Sequence, residues 1–191
     1  FYIEVSDGAG KVFASGSGFF LDSNGTAVTN YHVIDGASSA KVTVSDTGNT
    51  YDVAGVFDYN VDEDWAIIKV NGSNFKPIVQ GSPSTVVGGA TVYAIGSPLG
   101  LQNTISDGII SNPNRDTGTV KLIQISTPIS HGSSGGALFN KYGEVIGITS
   151  SGFDDAQNLN FAVPITYIVN ASTSALKSFK QVISETTVPI N

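Results

Sequence analysis

Apolar residues are distributed along this chain in many short runs, most of them rich in Val, Ile, Phe and Tyr. Gly, Asn, Asp and Ser separate the runs, which is the pattern of strands joined by tight turns. We expect strands near residues 2–6, 12–21, 25–29, 40–45, 50–58, 65–70, 90–96, 104–111, 119–125, 136–140, 144–150 and 158–163. Asp22-Ser23-Asn24-Gly25 and Asn140-Lys141-Tyr142-Gly143 are hairpin turn signals. The pattern predicts an all-β fold class.

One segment, residues 165–183, has the periodicity of a helix instead. Its apolar side chains recur near one face, and Pro164 stands just before it, where proline is tolerated at a helix start. The residues near that face are Ile165, Ile168, Val169, Leu176, Phe179 and Ile183. We therefore expect one C-terminal helix with a structural role.

A stretch rich in Gly, Ser, Pro and Asn, residues 71–89, is typical of a connection between two halves. We therefore divide the chain into residues 1–80 and residues 81–191. A chain of 191 residues can bury a substantial core, either in one domain or in two small barrels.

Composition fits this picture and narrows the function. There are 22 glycines and only 13% charged residues, which suits many short strands and tight turns. The net charge of −7 argues against phosphate backbones as ligands, so we expect no nucleic-acid partner. No apolar run is long enough for a membrane-spanning helix. Cysteine is absent, which excludes disulfides and thiolate metal sites. Methionine is also absent, so we expect Phe1 to be either a processed N-terminus or the boundary of an excised segment.

The first candidate for chemistry is Gly132-Ser133-Ser134-Gly135-Gly136, at a turn between two apolar runs. Glycines there allow the Ser134 hydroxyl to stand clear of the backbone. They also allow N–H groups to converge where an oxyanion could sit. The alternative interpretation is a flexible Gly/Ser turn.

A nucleophilic serine needs a base within hydrogen-bond reach, and this chain has two histidines, His32 and His131. His32 follows a short predicted strand. His131 lies three residues before Ser134, too near in sequence to face that hydroxyl squarely, so we assign it a role in the loop.

The base in turn needs an acceptor that orients it, and Asp64 directly precedes an apolar strand. Its neighbours Asp62 and Glu63 are interpreted as a solvated acidic turn. The resulting chain order, histidine then aspartate then serine, is that of the chymotrypsin arrangement.

Four segments in this order resemble the motifs of HtrA/Deg-type serine proteases, which have the trypsin fold. They are Gly16-Ser17-Gly18-Phe19-Phe20-Leu21, Val28-Thr29-Asn30-Tyr31-His32-Val33-Ile34, Asp64-Trp65-Ala66-Ile67-Ile68-Lys69-Val70 and Gly132-Ser133-Ser134-Gly135-Gly136-Ala137-Leu138. Weaker similarity in residues 95–101 and 160–165 extends the resemblance from about the first residue to residue 165. It implies two six-stranded antiparallel β-barrels of the trypsin-like fold, with the terminal helix packed on the second barrel.

The resemblance also implies a serine endopeptidase whose active site lies in the cleft between the barrels. The catalytic residues would be His32 and Asp64 from the first barrel and Ser134 from the second. The N–H groups of Gly132, Ser133 and Ser134 would form the oxyanion hole. No cofactor is expected. No metal is expected either, because Asp154-Asp155 lacks the spaced ligand series of a calcium loop.

The specificity pocket departs from that of trypsin-like enzymes, which carry an acid six residues before the nucleophile. Pro128 stands there in this chain, so we expect a small or medium apolar residue on the N-terminal side of the cut. The expected partners are unfolded or exposed segments of proteins and peptides. The expected substrate-binding residues are Pro128, Ile129, Thr149, Ser150, Ser151, Asn160, Phe161 and Ala162.

Further departures concern activation and architecture. In the digestive proteases, activation creates a new N-terminal ammonium group that pairs with an acid just before the nucleophile. Ser133 stands at that position here and cannot form the ion pair, so activation would depend on the ordering of residues 127–131. HtrA-type proteins usually carry a PDZ domain, which is expected to be removed or lacking here. We expect a monomer or trimer located outside a bacterial cell, on its surface or in its periplasm.

Two alternatives to a serine endopeptidase stay open. One is a peptide-binding or chaperone-like module with an idle triad, and the other is an esterase that uses the same triad.

Overall fold

The computed structural model describes residues 1–97, 104–130, 132–150 and 159–187, and its strands form two sheets. The strands of the first sheet are β1 (Tyr2–Ser6), β2 (Val12–Ser17), β3 (Phe19–Phe20), β4 (Thr26–Thr29), β5 (Ser39–Thr43), β6 (Thr50–Asn60) and β7 (Trp65–Val70), with a four-residue helix, α1 (Tyr31–Ile34), after β4. The strands of the second sheet are β8 (Thr91–Gly96), β9 (Thr104–Asp116), β10 (Lys121–Ile125), β11 (Ala137–Asn140), β12 (Val145–Ser150) and β13 (Asn160–Pro164). Neighbouring strands in both sheets run antiparallel, which confirms the all-β fold class.

The two sheets are the two predicted barrels. The second sheet closes in the order β10-β13-β12-β11-β8-β9. The first has the order β2-β1-β5-β6-β7-β4-β3, so its two edge strands are consecutive segments separated only by Gly18. The sheet is therefore wrapped almost onto itself, and it has six strands when residues 12–20 are counted as one bent strand. Only glycine fits at the bend, because a Cβ on Gly18 would overlap the Phe1 ring and the Val28 carbonyl.

Both predicted hairpin turns are confirmed, and a side-chain carboxylate or amide stabilises each one. Between β3 and β4, the Asp22 Oδ1 atom accepts the N–H groups of Asn24 at 2.8 Å and Thr26 at 3.0 Å. Between β11 and β12, the Asn140 Oδ1 atom accepts the N–H groups of Tyr142 at 2.9 Å and Glu144 at 3.1 Å. Such local acceptors are the reason why Asp and Asn favour turns.

The predicted helix over residues 165–183 is wrong in its extent. A single 3₁₀ turn spans Ile165–Ile168, and an α-helix, α2, spans Phe179–Thr186. The intervening residues are rich in Ser and Thr, whose side chains compete with helical hydrogen bonds, and Ser172 and Ser174 bond each other there. The helix begins at a capping box, in which Ser178 and Gln181 each accept the other's N–H group. In the described part of the chain no helix is long and apolar enough to cross a membrane.

The helix packs on the first barrel, which corrects the expected contact with the second. Phe179 and Val182 belong to the same buried apolar cluster as the interior of the first sheet. Lys177 exchanges two backbone hydrogen bonds of 2.8 Å with Val56 of β6, so the segment before α2 adds to the first sheet. The chain therefore crosses from the second barrel back to the first.

The barrels also share an apolar cluster at their interface. Phe19, Trp65 and Ile67 from the first sheet pack in one cluster with Leu122 and Phe161 from the second. Burial of this surface fixes the two sheets against each other without a disulfide cross-link. The strand ends beside this interface carry the candidate catalytic residues.

Candidate active site

The first barrel brings His32 and Asp64 into direct contact. His32 lies on α1, which was not among the predicted elements because one turn has no readable periodicity. Its Nδ1 atom lies 2.8 Å from Asp64 Oδ2 and 3.0 Å from Oδ1, and its backbone N–H donates to Oδ1 at 2.9 Å. A carboxylate only accepts, so Nδ1 is the donor in this contact, and the tautomer that it favours leaves Nε2 as the acceptor nitrogen.

Asp64 is held in an unusual backbone conformation just before β7. Its φ of +56° lies in the left-handed region, which Asp tolerates better than most residues. The fully buried Asn30 donates its side-chain N–H to the Asp64 carbonyl at 2.8 Å. Asn30 therefore supports the acid from the residue before α1. The sequence analysis missed this role, because no local pattern marks a contact between residues so far apart.

The neighbouring acids do not compete for the imidazole. The Glu63 carboxylate accepts the Trp65 indole N–H at 2.7 Å, and Asp62 is exposed. Among the acids in the described residues, Asp64 alone has a hydrogen bond to His32. Asp64 therefore stays the predicted acid.

The second barrel contributes a hydroxyl to the same carboxylate. Ser150, at the end of β12, donates to Asp64 Oδ2 at 3.2 Å and is only 6% exposed. Ser150 was predicted to lie at the substrate-facing edge, whereas its hydroxyl faces the acid. The Asp64 carboxylate therefore accepts hydrogen bonds from both barrels.

Ser134 lies in a tight loop whose shape depends on left-handed glycines. Gly132 and Gly135 have φ values of +89° and +88°. The Gly135 N–H donates to the Thr149 carbonyl at 2.8 Å, and the Gly136 N–H donates to the Ser133 carbonyl at 3.0 Å. The first bond fastens the loop to β12 and the second closes a turn within the loop. Ser134 is 3% exposed.

The backbone N–H groups predicted to form the oxyanion hole differ in their hydrogen bonds. The Ser133 N–H donates to the Ser130 carbonyl at 2.9 Å and is thus engaged within the loop. The Ser133 carbonyl accepts the Thr149 hydroxyl at 2.7 Å, on the side opposite the Ser134 N–H of the same planar peptide. Thr149 was predicted to line the substrate edge, but its side chain is buried and supports the loop.

The loop is anchored beside α1. The Ser17 N–H donates to the Ser134 carbonyl at 2.7 Å. A Cβ placed on the adjacent Gly16 would overlap both the Val33 side chain and that carbonyl, at 2.8 and 2.9 Å. Ser134 and the helix that carries His32 therefore both pack against Gly16.

The remaining predicted pocket residues lie on or beside the second barrel. Pro128 is exposed, Ile129 packs against one of that barrel's apolar clusters, and Asn160 pairs with Ile125. Phe161 and Ala162 are buried within apolar clusters. The predicted residues His131 and Ser151, with Asp154-Asp155, lie outside the described residues.

A cavity of 390 Å³ opens beside His32, Asp64 and Ser150. Its lining includes Val61 from the first half and Val163 from the second, so residues of both halves line it. The described residues contain no group of three or more His, Asp or Glu side chains placed to hold a metal ion. The candidate site is made of an imidazole, a carboxylate hydrogen-bonded to it and a glycine-rich serine loop.

Comparisons with known proteins identify the family of this chain. Residues 16–148 match the family model of the trypsin-like peptidase domain. HhoB of Synechocystis, named as a candidate serine protease, is 39% identical over 165 residues, which cover 83% of this chain and 39% of HhoB. A DegP-like protein of Pseudomonas savastanoi, named as a candidate periplasmic serine endoprotease, is 35% identical over 171 residues, or 86% and 35% of the two chains.

A third relative is named as an anti-sigma factor and not as a protease. The anti-sigma-I factor RsgI9 of Acetivibrio thermocellus is 34% identical over 161 residues, which cover 84% of this chain and 22% of RsgI9. The chain thus spans well under half the length of each of these relatives.

Proposed function

Because this chain belongs to the trypsin-like peptidase domain family, as a serine protease domain of the HtrA/Deg type, we propose that it is an endopeptidase in which Ser134 is the nucleophile. The observation that carries the proposal is the contact of 2.8 Å between His32 Nδ1 and the Asp64 carboxylate. That contact supplies an oriented base, which a serine hydroxyl needs in order to react at neutral pH.

The proposed reaction proceeds through an acyl-enzyme. His32 Nε2 takes the Ser134 proton while the Ser134 oxygen attacks a peptide carbonyl, and Asp64 stabilises the imidazolium. The same imidazolium then protonates the leaving amine, and a water molecule releases the acyl group. The N–H groups of Gly132 and Ser134 stabilise the developing oxyanion, for which each donor contributes about 2.7–4 kcal/mol. Ser133 acts through its engaged N–H, which shapes the loop.

We propose that substrates carry a small or medium apolar residue before the cut and that they are unfolded or exposed segments. Pro128 supplies no charge for an Arg or Lys side chain, and a buried unpaired cation costs several kcal/mol. The neighbouring Ile129 and Phe161 are apolar. Peptides with Val, Ala, Ile or Leu at that position should react faster than matched peptides with Arg or Lys.

We further propose that the two halves divide near residue 80, as predicted. Ile78 donates its N–H to the Phe20 carbonyl of the first barrel, whereas Val79 accepts the Val145 N–H of the second. The periplasmic name of the DegP-like relative supports a location outside the cytoplasm. Fractionation of cells that express the natural protein would test this location.

The deciding experiment combines labelling with digestion. A fluorophosphonate probe should label Ser134 and no other serine, because in the proposed mechanism His32 activates that hydroxyl alone. Casein should be cleaved by the chain and not by the Ser134→Ala variant, with the cuts mapped by mass spectrometry. Labelling at another serine, or casein cleavage that persists in Ser134→Ala, would contradict the assignment.

We keep one second candidate, a peptide-binding or chaperone-like module whose triad is idle, because RsgI9 is named as an anti-sigma factor and not as a protease. In that case the chain and its Ser134→Ala variant would bind an unfolded protein equally well, and neither would release fragments. An esterase role would instead give turnover of ester substrates without cleavage of any peptide in a matched panel.

A further inference from the structure

Ser17 is a buried polar residue at the boundary between the barrels that the mechanism above does not use. It ends β2 and is 1% exposed. Its hydroxyl donates to the Gly132 carbonyl at 2.7 Å and accepts the Ser97 N–H at 2.8 Å. Gly132 and Ser97 both belong to the second half, so one hydroxyl of the first barrel joins two segments of the second.

The backbone of Ser17 is fixed as firmly as its side chain. Its N–H donates to the Ser134 carbonyl at 2.7 Å, and its carbonyl accepts the Thr29 hydroxyl at 2.8 Å. Ser17 therefore binds the serine loop at two carbonyls, one on the residue before Ser133 and one on Ser134 itself. Because Ser17 is held from the first barrel by Thr29, it can transmit the position of that barrel to the loop.

The hydroxyl contact fixes a peptide that would otherwise rotate easily. Gly132 has a φ of +89°, a conformation from which glycine can leave at little steric cost. When the Gly132 carbonyl points to Ser17, the N–H of the next residue must point the opposite way, toward Ser130. A carbonyl that turned toward the nucleophile instead would place a negative dipole where the oxyanion develops.

We propose that the Ser17 hydroxyl is a positioning group for this reaction, which holds the Gly132–Ser133 peptide so that the oxyanion site stays free of carbonyl oxygens. Ser17 touches neither substrate nor reacting atoms and acts through Gly132. This role rests on the proposed peptidase function, but the orientation of the loop itself can be measured whether or not the chain turns over a substrate.

The test compares three variants of the full chain. Ser17→Ala removes the hydroxyl, and Ser17→Thr keeps a hydroxyl on the same carbon. Ser45→Ala is the matched control, because it removes a hydroxyl whose oxygen is buried and has no hydrogen-bond partner in the described structure. Each variant is measured by hydrogen exchange of the amides in residues 132–136, by thermal unfolding, and by kcat and KM on one apolar peptide.

Ser17→Ala should speed exchange of the Ser133, Gly135 and Gly136 amides at least tenfold. It should lower kcat by about 10- to 100-fold, less than the loss of an oxyanion donor, with KM changed less than threefold. Ser17→Thr should recover at least a tenth of the wild-type kcat, and Ser45→Ala should match the wild type in exchange and kcat.

Each other outcome overturns the proposal in a recognisable way. Unchanged exchange in Ser17→Ala would mean that the hydroxyl does not hold the loop. Faster exchange with wild-type kcat would mean that the held peptide does not matter for catalysis. A Ser17→Thr variant that melts like the wild type but is as slow as Ser17→Ala would rule out the hydroxyl as the active group. If the wild type itself turns over no peptide, the proposed function fails, and exchange alone then decides whether Ser17 holds the loop.

Discussion

At the scale of single residues, the candidate site depends on one carboxylate that serves several donors. The Asp64 carboxylate accepts hydrogen bonds from the imidazole of His32, from the backbone N–H of His32 and from the hydroxyl of Ser150. Replacement of this acceptor by an amide would place an N–H donor where an acceptor is needed and would favour the wrong tautomer of the imidazole.

We therefore expect Asp64→Asn to lower kcat/KM for a peptide substrate by about 10⁴-fold with little change in folding. Asp62→Asn is the matched control, since the same change two residues away on an exposed side chain should leave kcat/KM within about twofold of the wild type. Steady-state kinetics of the two variants with circular dichroism checks this. Comparable losses in both variants would mean that the acid is misassigned.

At the scale of elements, the serine loop tolerates glycine alone at its centre. A Cβ on Gly135 would overlap the Ser17 carbonyl and the Thr29 hydroxyl, whereas a Cβ on Gly118, in the turn between β9 and β10, would meet nothing within 4 Å. The two glycines have nearly the same φ, +88° and +89°. Alanine variants at the two positions therefore separate the energetic cost of backbone strain from the cost of steric overlap.

Gly118→Ala should cost only the left-handed strain, about 1–2 kcal/mol of unfolding free energy, and should leave activity intact. Gly135→Ala should cost about 1–3 kcal/mol more because of the overlap, and it should abolish peptide cleavage. Urea unfolding and casein digestion measure both quantities. Equal unfolding free energies for the two variants would show that the loop can move away from the first barrel.

The order of the elements also explains what could be predicted from the sequence. The strands and the His32, Asp64 and Ser134 candidates follow from local patterns, because each candidate adjoins an apolar run. Ser17, Asn30 and Ser150 contact the site across the fold, and no local pattern records a hydrogen bond between residues so far apart. The helix was overextended because Val169 and Leu176 fit its period, although both are exposed and Ser and Thr residues lie between them.

At the scale of the whole molecule, the C-terminal segment holds the two barrels together. Phe179 is 6% exposed and packs in the first barrel's core, although it follows the whole second barrel in the chain. Phe179→Ala should lower the unfolding free energy by about 3–5 kcal/mol, whereas Lys180→Ala, on the exposed side of the same helix, should change it by less than about 0.5 kcal/mol. Denaturant titration measures both values, and a loss below about 1 kcal/mol for Phe179→Ala would mean that α2 is only loosely attached.

Under the proposed peptidase function, this crossing has a consequence for how the molecule would survive its own activity. A peptidase cuts exposed segments of neighbouring copies first, and the segment that leads into β8, residues 82–90, is largely exposed. After one cut there, the C-terminal fragment still has Lys177 paired to Val56 and α2 buried in the N-terminal fragment. Self-digestion at that point would leave a two-chain protein held by the same contacts as the intact one, so on the proposed function we expect the terminal helix to give tolerance to autolysis.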